Sequence, residues 1–523
     1  MTRVAPRSLD RGEITHERES ADVCIVGAGA AGIYLASRLA RCGLQVVVLE
    51  AGPSVAVDAE LAGFVPEFER ESYSGAWAGR AFGLGGTTAR WGGQLIPTPS
   101  QDAARSDETL RRSWSLIVSA CRDYAGKVAR TLGLLEGGSA SELRFSGNRP
   151  AWAALSHVGL QPLESVWLPF RARNLAWLLN SRHRNGALKI YLDATASVWT
   201  LSECAGSAWI GGVEARSASG RRLTVAADRV VVCAGAIEST RILLEIDDRA
   251  HALPKRSEIG RSLSDHFSAC IGEVVAKDRG LAASIFGPRF TGGLMRSVRI
   301  IDEKPELQAP RWFAHMLFER EDAAFRCARA VLQAMQARRV PRVALTDLLH
   351  APFGLSRLAW ARFVEGRLFI PPGTPTGLQL DIEQRPQRQN RVSLGHSCDR
   401  FGRPRCRITW GMSELDEEDF RTGCRFFAQK WSEAGSALPW VRWLDSSLSL
   451  EKAHGAYHPT GTCRVGEDNE AVVDPDLKVR GYGNLYLLST CLFPSAGSAN
   501  PTFSLLCLVE RLAETLQQEW KKL

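Results

Sequence analysis

The sequence predicts an α/β protein of two or more packed lobes, one of which is a Rossmann-like dinucleotide-binding lobe. Its 523 residues are too many for one simple core. Residues 22–32 read as a buried strand that runs into a glycine turn and a helix. The same order of strand, glycine turn and helix returns at 229–241, and a further strand is expected at 484–488.

The three glycines of the first unit have different physical roles. Gly27 permits the tight turn, Gly29 lets the backbone approach a pyrophosphate, and Gly32 lets the helix pack closely on the strand. The helix, expected at about 31–41, directs its N-terminal amides at the phosphates. Glu50 ends the next strand, where an acid accepts hydrogen bonds from ribose hydroxyls and argues against a 2′-phosphate. This unit alone leaves FAD and NAD open.

The composition excludes several classes of function. The net charge is +8, from 65 basic and 57 acidic residues, and no basic patch interleaved with aromatic residues accompanies it, so a nucleic-acid partner is not expected. The thirteen cysteines are scattered and form no Cys-x-x-Cys pair, so we expect neither a metal site nor a disulfide framework. We therefore expect a cytoplasmic location. No secretory signal and no apolar run of about 20 residues supports a different one.

Six motifs follow one another in a fixed order along the chain. They are residues 27–32, 85–91, 234–239, 260–266, 458–462 and 500–502. In this order they resemble the glucose–methanol–choline (GMC) oxidoreductase family, and the resemblance runs over nearly the whole chain. It implies a discontinuous Rossmann-like FAD-binding lobe with an inserted α+β substrate lobe built on a mixed or antiparallel sheet.

The resemblance also suggests how the chain is divided between these lobes. We expect an N-terminal extension at 1–20, an FAD-binding lobe at 21–100, 185–266 and 445–523, and a substrate lobe at 101–184 and 267–444. Alternating apolar residues at 267–276 and 377–383 agree with strands of the substrate-lobe sheet. Ser413 and Asp416 are spaced as a capping box that opens a helix.

FAD is expected to be held without a covalent bond. Some family members attach the flavin through a histidine in the second motif, and Arg90 stands at that position here. Ser489 and Thr490 replace an acid-containing stretch that is common in the family. The residues implied to contact FAD are Gly27, Gly29, Ala30, Ala31, Gly32, Glu50, Ala51, Arg80, Gly85, Gly86, Thr87, Thr88, Arg90, Trp91, Gly92, Ala196, Ala234, Gly235, Glu238, Ser489, Thr490, Asn500, Pro501 and Thr502.

Two residues near the C-terminus are the candidates for catalysis. Oxidation of an alcohol removes the hydroxyl proton while a hydride moves to flavin N5, and histidine suits the proton step because its pKa lies near working pH. An asparagine can hold the substrate oxygen. The resemblance implies that His458 is the base and Asn500 its partner. His454 is the rival base, and His266 belongs to a motif of mostly structural character.

The expected substrate is a small alcohol, such as a sugar, a polyol or a specialised metabolite. Oxygen or another acceptor would reoxidise the flavin. Two alternatives stay open at this point: a lyase of the same fold in which FAD is structural, and a flavoprotein subunit that docks to an electron-transfer or membrane partner.

The segment 326–367 is basic, aromatic and helix-prone. Three interpretations compete, namely a solvated helical face, a lid or dimer contact, and a surface that rests on an anionic membrane. Pro341, Pro352 and Gly354 interrupt any long amphipathic helix, so the sequence favours a face or lid over a membrane contact. If the segment is a lid, Arg338 and Arg339 favour a substrate that bears a carboxylate or phosphate.

Overall fold

The computed structural model describes residues 5–11, 15–134, 150–180, 187–444, 450 and 453–521. The expected lobe boundaries at 185 and 445 lie outside these residues. The helices are α1 Ala30–Arg41, α2 Ala59–Ala62, α3 Glu108–Leu132, α4 Pro150–His157, α5 Phe170–Arg173, α6 Gly235–Ala250, α7 Arg279–Phe286, α8 Ala323–Ala337, α9 Leu345–His350, α10 Pro352–Phe363, α11 Glu414–Glu433 and α12 Thr502–Trp520.

The strands of the described residues form four sheets. The strands are β1 Arg7–Ser8, β2 His16–Val26, β3 Val46–Leu49, β4 Val57–Asp58, β5 Glu67–Phe68, β6 Ala81–Phe82, β7 Gln94–Leu95, β8 Leu160–Trp167, β9 Leu188–Leu192, β10 Thr195–Cys204, β11 Ser207–Arg216, β12 Arg222–Val232, β13 His266–Val274, β14 Arg289–Thr291, β15 Leu294–Asp302, β16 Trp312–Phe318, β17 Thr376–Glu383, β18 Arg391–Cys398, β19 Pro404–Thr409, β20 Val441–Trp443, β21 His454–Gly455 and β22 Leu485–Leu487. Two of the sheets are small and join β18, β19 and β5, and β4 with β6.

The first large sheet is built around the predicted nucleotide-binding strands. Its order is β1-β9-β3-β2-β12-β11-β10, with β22 also on β12. The neighbouring strands β1, β9, β3, β2 and β12 are parallel to one another, and β22 is parallel to β12. At the other edge, β11 is antiparallel to both β12 and β10. The central strands are apolar and buried, as expected where helices cover both faces of a parallel sheet. This is the predicted Rossmann-like architecture.

The local predictions in this sheet hold with shifted boundaries. The first strand was expected near residue 23 but β2 begins at His16, because β12 pairs with it over its full length, from Arg222 opposite His16 to Val232 opposite Val26. The helix α1 begins at Ala30. Outside the sheet, the predicted capping box is present, since the Ser413 side chain accepts from the Asp416 amide and the Asp416 side chain accepts from the Ser413 amide.

The second large sheet is antiparallel and has one apolar and one polar face. Its order is β20-β13-β17-β16-β15-β8-β7, with β14 on β15 and β21 on β13. Since side chains alternate along a strand, one face of β13, β16 and β17 carries apolar residues that pack against α11 through Phe420, Phe427 and Trp431. The alternate positions of the same strands carry polar residues instead, which matter for the site described below.

The packing of one helix differs from the expected division of the chain. The helix α3 comes from a segment expected in the substrate lobe, but it packs against α12, and Trp114 is buried in the core of the first sheet. The lobe boundaries therefore stay a prediction. Within the described residues, no helix is long and apolar enough to cross a bilayer.

Candidate active site

A cavity of about 570 Å³ lies where the carboxyl ends of β2, β3 and β12 meet. Ligand sites of open parallel sheets form at these strand ends. Its predicted lining residues are Gly27, Gly29, Ala30, Ala31, Glu50, Ala51, Arg80, Gly86, Thr87, Thr88, Arg90, Trp91, Gly92, Ala196, Ala234, Gly235, Glu238, His458, Ser489, Thr490, Pro501 and Thr502. Three further predicted residues, Gly32, Gly85 and Asn500, do not line it.

The glycines around this cavity are required for two different reasons. A Cβ at Gly32 would lie 1.9 Å from the Gly27 carbonyl oxygen, so this glycine permits close packing of α1. A Cβ at Gly29 would meet no protein atom within 4 Å, although Gly29 lines the cavity. Gly85 has a φ of +97°, and a Cβ there would lie 2.0 Å from Asn174 Oδ1, so only glycine fits at this position beside the cavity. The open space at Gly29 would let a ligand lie directly against the backbone, and this space is called the cradle below.

Glu50 is held at the end of β3 by the backbone. Its carboxylate accepts hydrogen bonds from the amides of Ala28 (2.7 Å), Gly52 (2.9 Å) and Gly83 (2.8 Å). Burial raises the pKa of Glu50 to about 6, against the opposing effect of these amides. The side chain is therefore fixed in one orientation at the cavity wall.

The guanidinium of Arg80 is less available for binding FAD than the sequence suggested. It lines the cavity, but its guanidinium pairs with Glu238 at 3.1 Å and donates to the carbonyl oxygens of Phe64 and Ala76. Its charge is thus already compensated within the protein. Arg90, where some family members have histidine, pairs with Asp58 and donates to a backbone carbonyl.

Several lining residues were missed by the sequence analysis. They are Val26, Leu49, Phe64, Ala78, Gly79, Ala81, Phe82, Ala194, Thr195, Cys233, Ala236, Ile237, Ile242, Arg403, Ala456, Tyr457, Pro459, Leu488 and Leu505. The rings of Phe64 and Phe82 stack with centroids 4.5 Å apart. No spacing rule points to such contacts, because they join segments that are distant in sequence. Ala236, Ile237 and Pro459 are exceptions, since they lie inside the motifs at 234–239 and 458–462, and Cys233 directly precedes the first of these.

His458 sits in a network that orients its ring. Its amide donates to Asp265 Oδ1 (2.8 Å), which also accepts from the His266 amide, while Asp265 Oδ2 accepts from the Tyr73 hydroxyl (2.6 Å). Ligand atoms of Asp265, His266 and His458 lie within 4.8 Å of one another, but the two Asp265 oxygens already accept three hydrogen bonds. Burial, with a contribution from His266, lowers the pKa of His458 to about 3, so its imidazole is neutral at ordinary pH.

The hydrogen bonds of His266 determine which His458 nitrogen carries the proton. The Gly497 carbonyl oxygen lies 2.8 Å from His266 Nε2 and can only accept, so that nitrogen carries a hydrogen. In a neutral His266, Nδ1 is then an acceptor. His458 Nδ1 lies 3.3 Å from it and must donate. This assignment follows from the network and leaves His458 Nε2 with a free lone pair.

Asn500 is anchored on the polar face of the second sheet. Its Nδ2 donates to Gln94 Oε1 (3.5 Å), which also accepts from Arg299. Asn500 Oδ1 is buried and has no hydrogen-bond partner among the described residues. A buried acceptor without a hydrogen bond costs folding free energy, so a ligand that donates a hydrogen bond to Asn500 Oδ1 would remove this cost.

Polar side chains, called the polar wall below, continue from Arg299 along the same face, and none of Arg299, His315 and Asp381 lines the cavity. Arg299 Nη1 lies 3.9 Å from Asp381 Oδ2, and His315 Nδ1 lies 3.3 Å from that same oxygen. These atoms are buried and face one another, whereas Arg299 Nε is buried without a hydrogen-bond partner in the described part of the chain. Burial lowers the pKa of Arg299 to about 10. The side-chain interaction with His315 and the charge of Arg299 hold the pKa of Asp381 far below its usual range, against the effect of its burial. No motif or spacing in the sequence pointed to these three residues.

The rival base His454 lies elsewhere. Its side chain is exposed on β21, where its Nδ1 lies 3.2 Å from the Gly455 carbonyl oxygen, and it does not line the cavity. The geometry thus favours His458 over His454.

Comparisons with known proteins match two parts of the chain. A family model described as GMC oxidoreductase matches residues 386–508, which include His458 and Asn500. A second model, described as lycopene cyclase protein, matches residues 22–74, which contain the first glycine turn and Glu50. These matches support the resemblance to the GMC oxidoreductase family over part of the chain.

Related sequences in this family align over part of the chain. An uncharacterised GMC-type oxidoreductase of Mycobacterium tuberculosis is 27% identical over 343 residues, which are 58% of this chain and 56% of that protein. The chain thus spans a little over half the length of these first relatives. A C-glycoside 3-oxidase of Arthrobacter globiformis is 30% identical over 156 residues, or 29% of this chain and 28% of that protein.

Solved structures share the fold over nearly the whole chain. A formate oxidase variant from Aspergillus oryzae has a TM-score of 0.56 at 17% identity, covering 96% of this chain and 99% of that one. Pyridoxine 4-oxidase from Mesorbium loti has a TM-score of 0.56 at 18% identity, covering 94% and 98%. The chain therefore shares the fold of these two enzymes.

Proposed function

We propose that this chain is an FAD-dependent oxidoreductase that oxidises a CH–OH group to a carbonyl, with His458 as the base. The observation that carries the proposal is the proton arrangement of His266 and His458, which leaves a lone pair on His458 Nε2 at a residue that lines the cavity.

The cavity fits FAD. Gly29 offers open space beside the N-terminus of α1, which suits a pyrophosphate, and Glu50 presents a fixed carboxylate that suits ribose hydroxyls. Ser489, Thr490, Pro501 and Thr502 line another part of the wall. When bound, FAD supplies the two-electron acceptor for the oxidation.

His458 would take the hydroxyl proton of the substrate on Nε2. Because burial lowers its pKa, the ring is neutral at ordinary pH and can accept a proton, although the lowered pKa also makes it a weaker base. The hydrogen bond from Nδ1 to His266 holds the ring in the tautomer that this step needs. Asn500 would hold the substrate oxygen from its position beside Pro501 and Thr502.

The polar wall supports a polyhydroxylated substrate, such as a sugar or polyol. Arg299 Nε offers a donor and Asn500 Oδ1 an acceptor, and both are buried without a hydrogen-bond partner within the described residues. A substrate with several hydroxyl groups can satisfy both kinds, because each hydroxyl donates and accepts. One relative is named C-glycoside 3-oxidase, which agrees with this substrate class.

The electron acceptor and the cellular location are the remaining parts of the proposal. Oxygen or another compound would take the electrons from the reduced cofactor. All thirteen cysteines are free, which supports the expected reducing, cytoplasmic location.

An anaerobic absorbance titration tests the proposal. The purified protein, reconstituted with FAD, is mixed in turn with a panel of sugars, polyols and simple alcohols, and the flavin bands and the products are followed. Bleaching with one equivalent of carbonyl product per flavin would support the proposal. Product formation without bleaching would instead indicate a lyase with structural FAD, and failure to bind FAD would overturn the proposal.

A further inference from the structure

The helices α8, α9 and α10 form a small unit with large apolar side chains outside and small ones inside. Its buried centre consists of Ala324, Cys327 and Ala351, with Val343 and Leu358 packed against it. Among the described residues, eleven of the twenty-one exposed large hydrophobic side chains lie in this unit. They are Val331, Met335, Val340, Leu345, Leu348, Leu349, Phe353, Leu355, Trp360, Phe363 and Val364.

This distribution is the reverse of what an independently solvated helical unit shows. Phe353 and Phe363 are 76% and 80% exposed, and Leu349 is 70% exposed. Contiguous apolar surface of this kind marks an interaction site on a folded protein. Gly354 shows that the packing inside is tight, because a Cβ there would lie 2.5 Å from Ala324 Cβ. The apolar side chains therefore cannot be accommodated by a small rearrangement of the centre.

The same unit carries most of the net charge of the chain. Residues 323–364 contain seven arginines and one acidic residue, a net charge of +6, whereas the whole chain carries +8. Asp347 is paired with Arg326. Arg329, Arg338 and Arg342 are exposed and make no ion pair within the described residues. The surface thus combines exposed apolar side chains with uncompensated positive charge.

The unit is attached directly to the wall of the cavity. Gln336, near the end of α8, donates to the carbonyl oxygens of Thr88 (3.1 Å) and Trp91 (2.8 Å), and Arg339 donates to Ala56 O (2.7 Å). Thr88 and Trp91 line the cavity. A partner that binds the unit would therefore lie close to the candidate active site.

We propose that α8–α10 is a docking surface for an anionic phospholipid bilayer. Apolar side chains would enter the headgroup region while the arginines pair with lipid phosphates. The interruptions at Pro341 and Pro352 led the sequence analysis to favour a solvated face or a lid. The structure shows that short helices on either side of these prolines still present their apolar residues outward.

Charge argues against a second copy of this chain as the occupant. A symmetric contact through the same surface would place two units of net charge +6 against each other, where few acidic residues could compensate them. An anionic bilayer supplies the opposite charge and the apolar environment together.

Vesicle co-sedimentation of the full-length, FAD-loaded protein tests this proposal. We expect sedimentation with vesicles of equal parts phosphatidylcholine and phosphatidylglycerol, little with phosphatidylcholine alone, and weaker binding at about 0.5 M than at about 0.1 M salt. The triple variant Leu349→Ser/Phe353→Ser/Phe363→Ser should lose about tenfold or more in affinity. A matched control, Leu61→Ser/Leu307→Ser/Leu415→Ser, removes exposed apolar side chains from outside the unit and should bind like the wild type.

The double variant Arg329→Glu/Arg342→Glu keeps the apolar surface and reverses two charges. It should lose at least about tenfold in affinity for the anionic vesicles, and it keeps the test decisive if the triple variant does not fold. Melting temperature and flavin absorbance report folding. The proposal is overturned if the wild type stays in the supernatant with anionic vesicles, or if both variants bind like the wild type. It is also overturned if the wild type is a dimer in light scattering that the triple variant converts to a monomer.

Discussion

The Nδ1 atoms of His266 and His458 lie 3.3 Å apart, and the other ring nitrogen of His266 lies 2.8 Å from the Gly497 carbonyl oxygen. The Gly497 carbonyl oxygen thus sets the tautomer of His266, and a neutral His266 in turn sets the tautomer of His458. The second of these lines the cavity. His266 is therefore a positioning residue for the proposed base.

His266→Leu should lower kcat by about tenfold to a hundredfold with a smaller change in KM, because Nδ1–H of His458 loses its acceptor. His266→Asn offers the Nδ1 hydrogen of His458 an amide oxygen in place of the lost nitrogen and should recover part of the rate. Steady-state kinetics of both variants measure this. Equal losses in the two variants, accompanied by equal losses in melting temperature, would indicate a merely structural role.

The depressed pKa of His458 predicts that it makes the protein less stable as the pH falls. The ordinary pKa of about 6.5 applies in the unfolded chain, and the folded value is about 3, so the unfolded state binds more protons between these limits. His458 should therefore cost up to about 1.4 kcal/mol of unfolding free energy for each pH unit below 6.5. Urea unfolding from pH 7 to pH 4 should show a flatter dependence for His458→Asn than for the wild type. Parallel curves would contradict the lowered pKa.

Two glycines of one turn should respond differently to the same substitution. Gly29→Ala should leave the stability of the protein without FAD nearly unchanged and weaken FAD binding, since its Cβ enters only open space at the cavity. Gly32→Ala should lower the stability itself, because its Cβ would lie 1.9 Å from the Gly27 carbonyl oxygen. Thermal unfolding without FAD and fluorescence titration with FAD separate the two effects. A Gly29→Ala protein that binds FAD like the wild type would argue against the cradle.

The first glycine turn and its acid could be predicted because a short continuous segment determines them. Gly27, Gly29 and Gly32 are fixed by the geometry of a strand that turns into a helix, and Glu50 ends the neighbouring parallel strand. The capping box at Ser413 is local in the same sense. In each case the chemistry depends on residues a few positions apart, or on adjacent strands of one unit.

The polar wall could not be predicted, because it depends on pairing between distant strands. Arg299 lies on β15 and Asp381 on β17, with β16 between them. One-residue shifts in register would turn either side chain to the apolar face. The exposure of Phe353 and Phe363 could not be predicted for a similar reason. The spacing of apolar residues predicts a helix, but it does not show which face of that helix is covered by the rest of the protein.

Arg299→Lys should raise KM for a polyhydroxylated substrate by about tenfold and change kcat less. Lysine keeps the charge beside Asp381 but loses the planar set of donors. Arg296→Lys is the matched control, because Arg296 lies on the same strand, pairs with Glu164, and should leave KM near the wild-type value. Kinetics with the substrate identified by the anaerobic titration test this. The same KM in both variants would exclude Arg299 from substrate binding.

Single-turnover reduction of the bound flavin by that substrate, followed by anaerobic stopped-flow absorbance in the wild type and in His458→Asn, tests the central proposal most directly. We predict that the variant binds FAD normally and is reduced about 10² to 10⁴ times more slowly than the wild type. Reduction at the wild-type rate in a folded, FAD-loaded His458→Asn protein would contradict the assignment of His458 as the base.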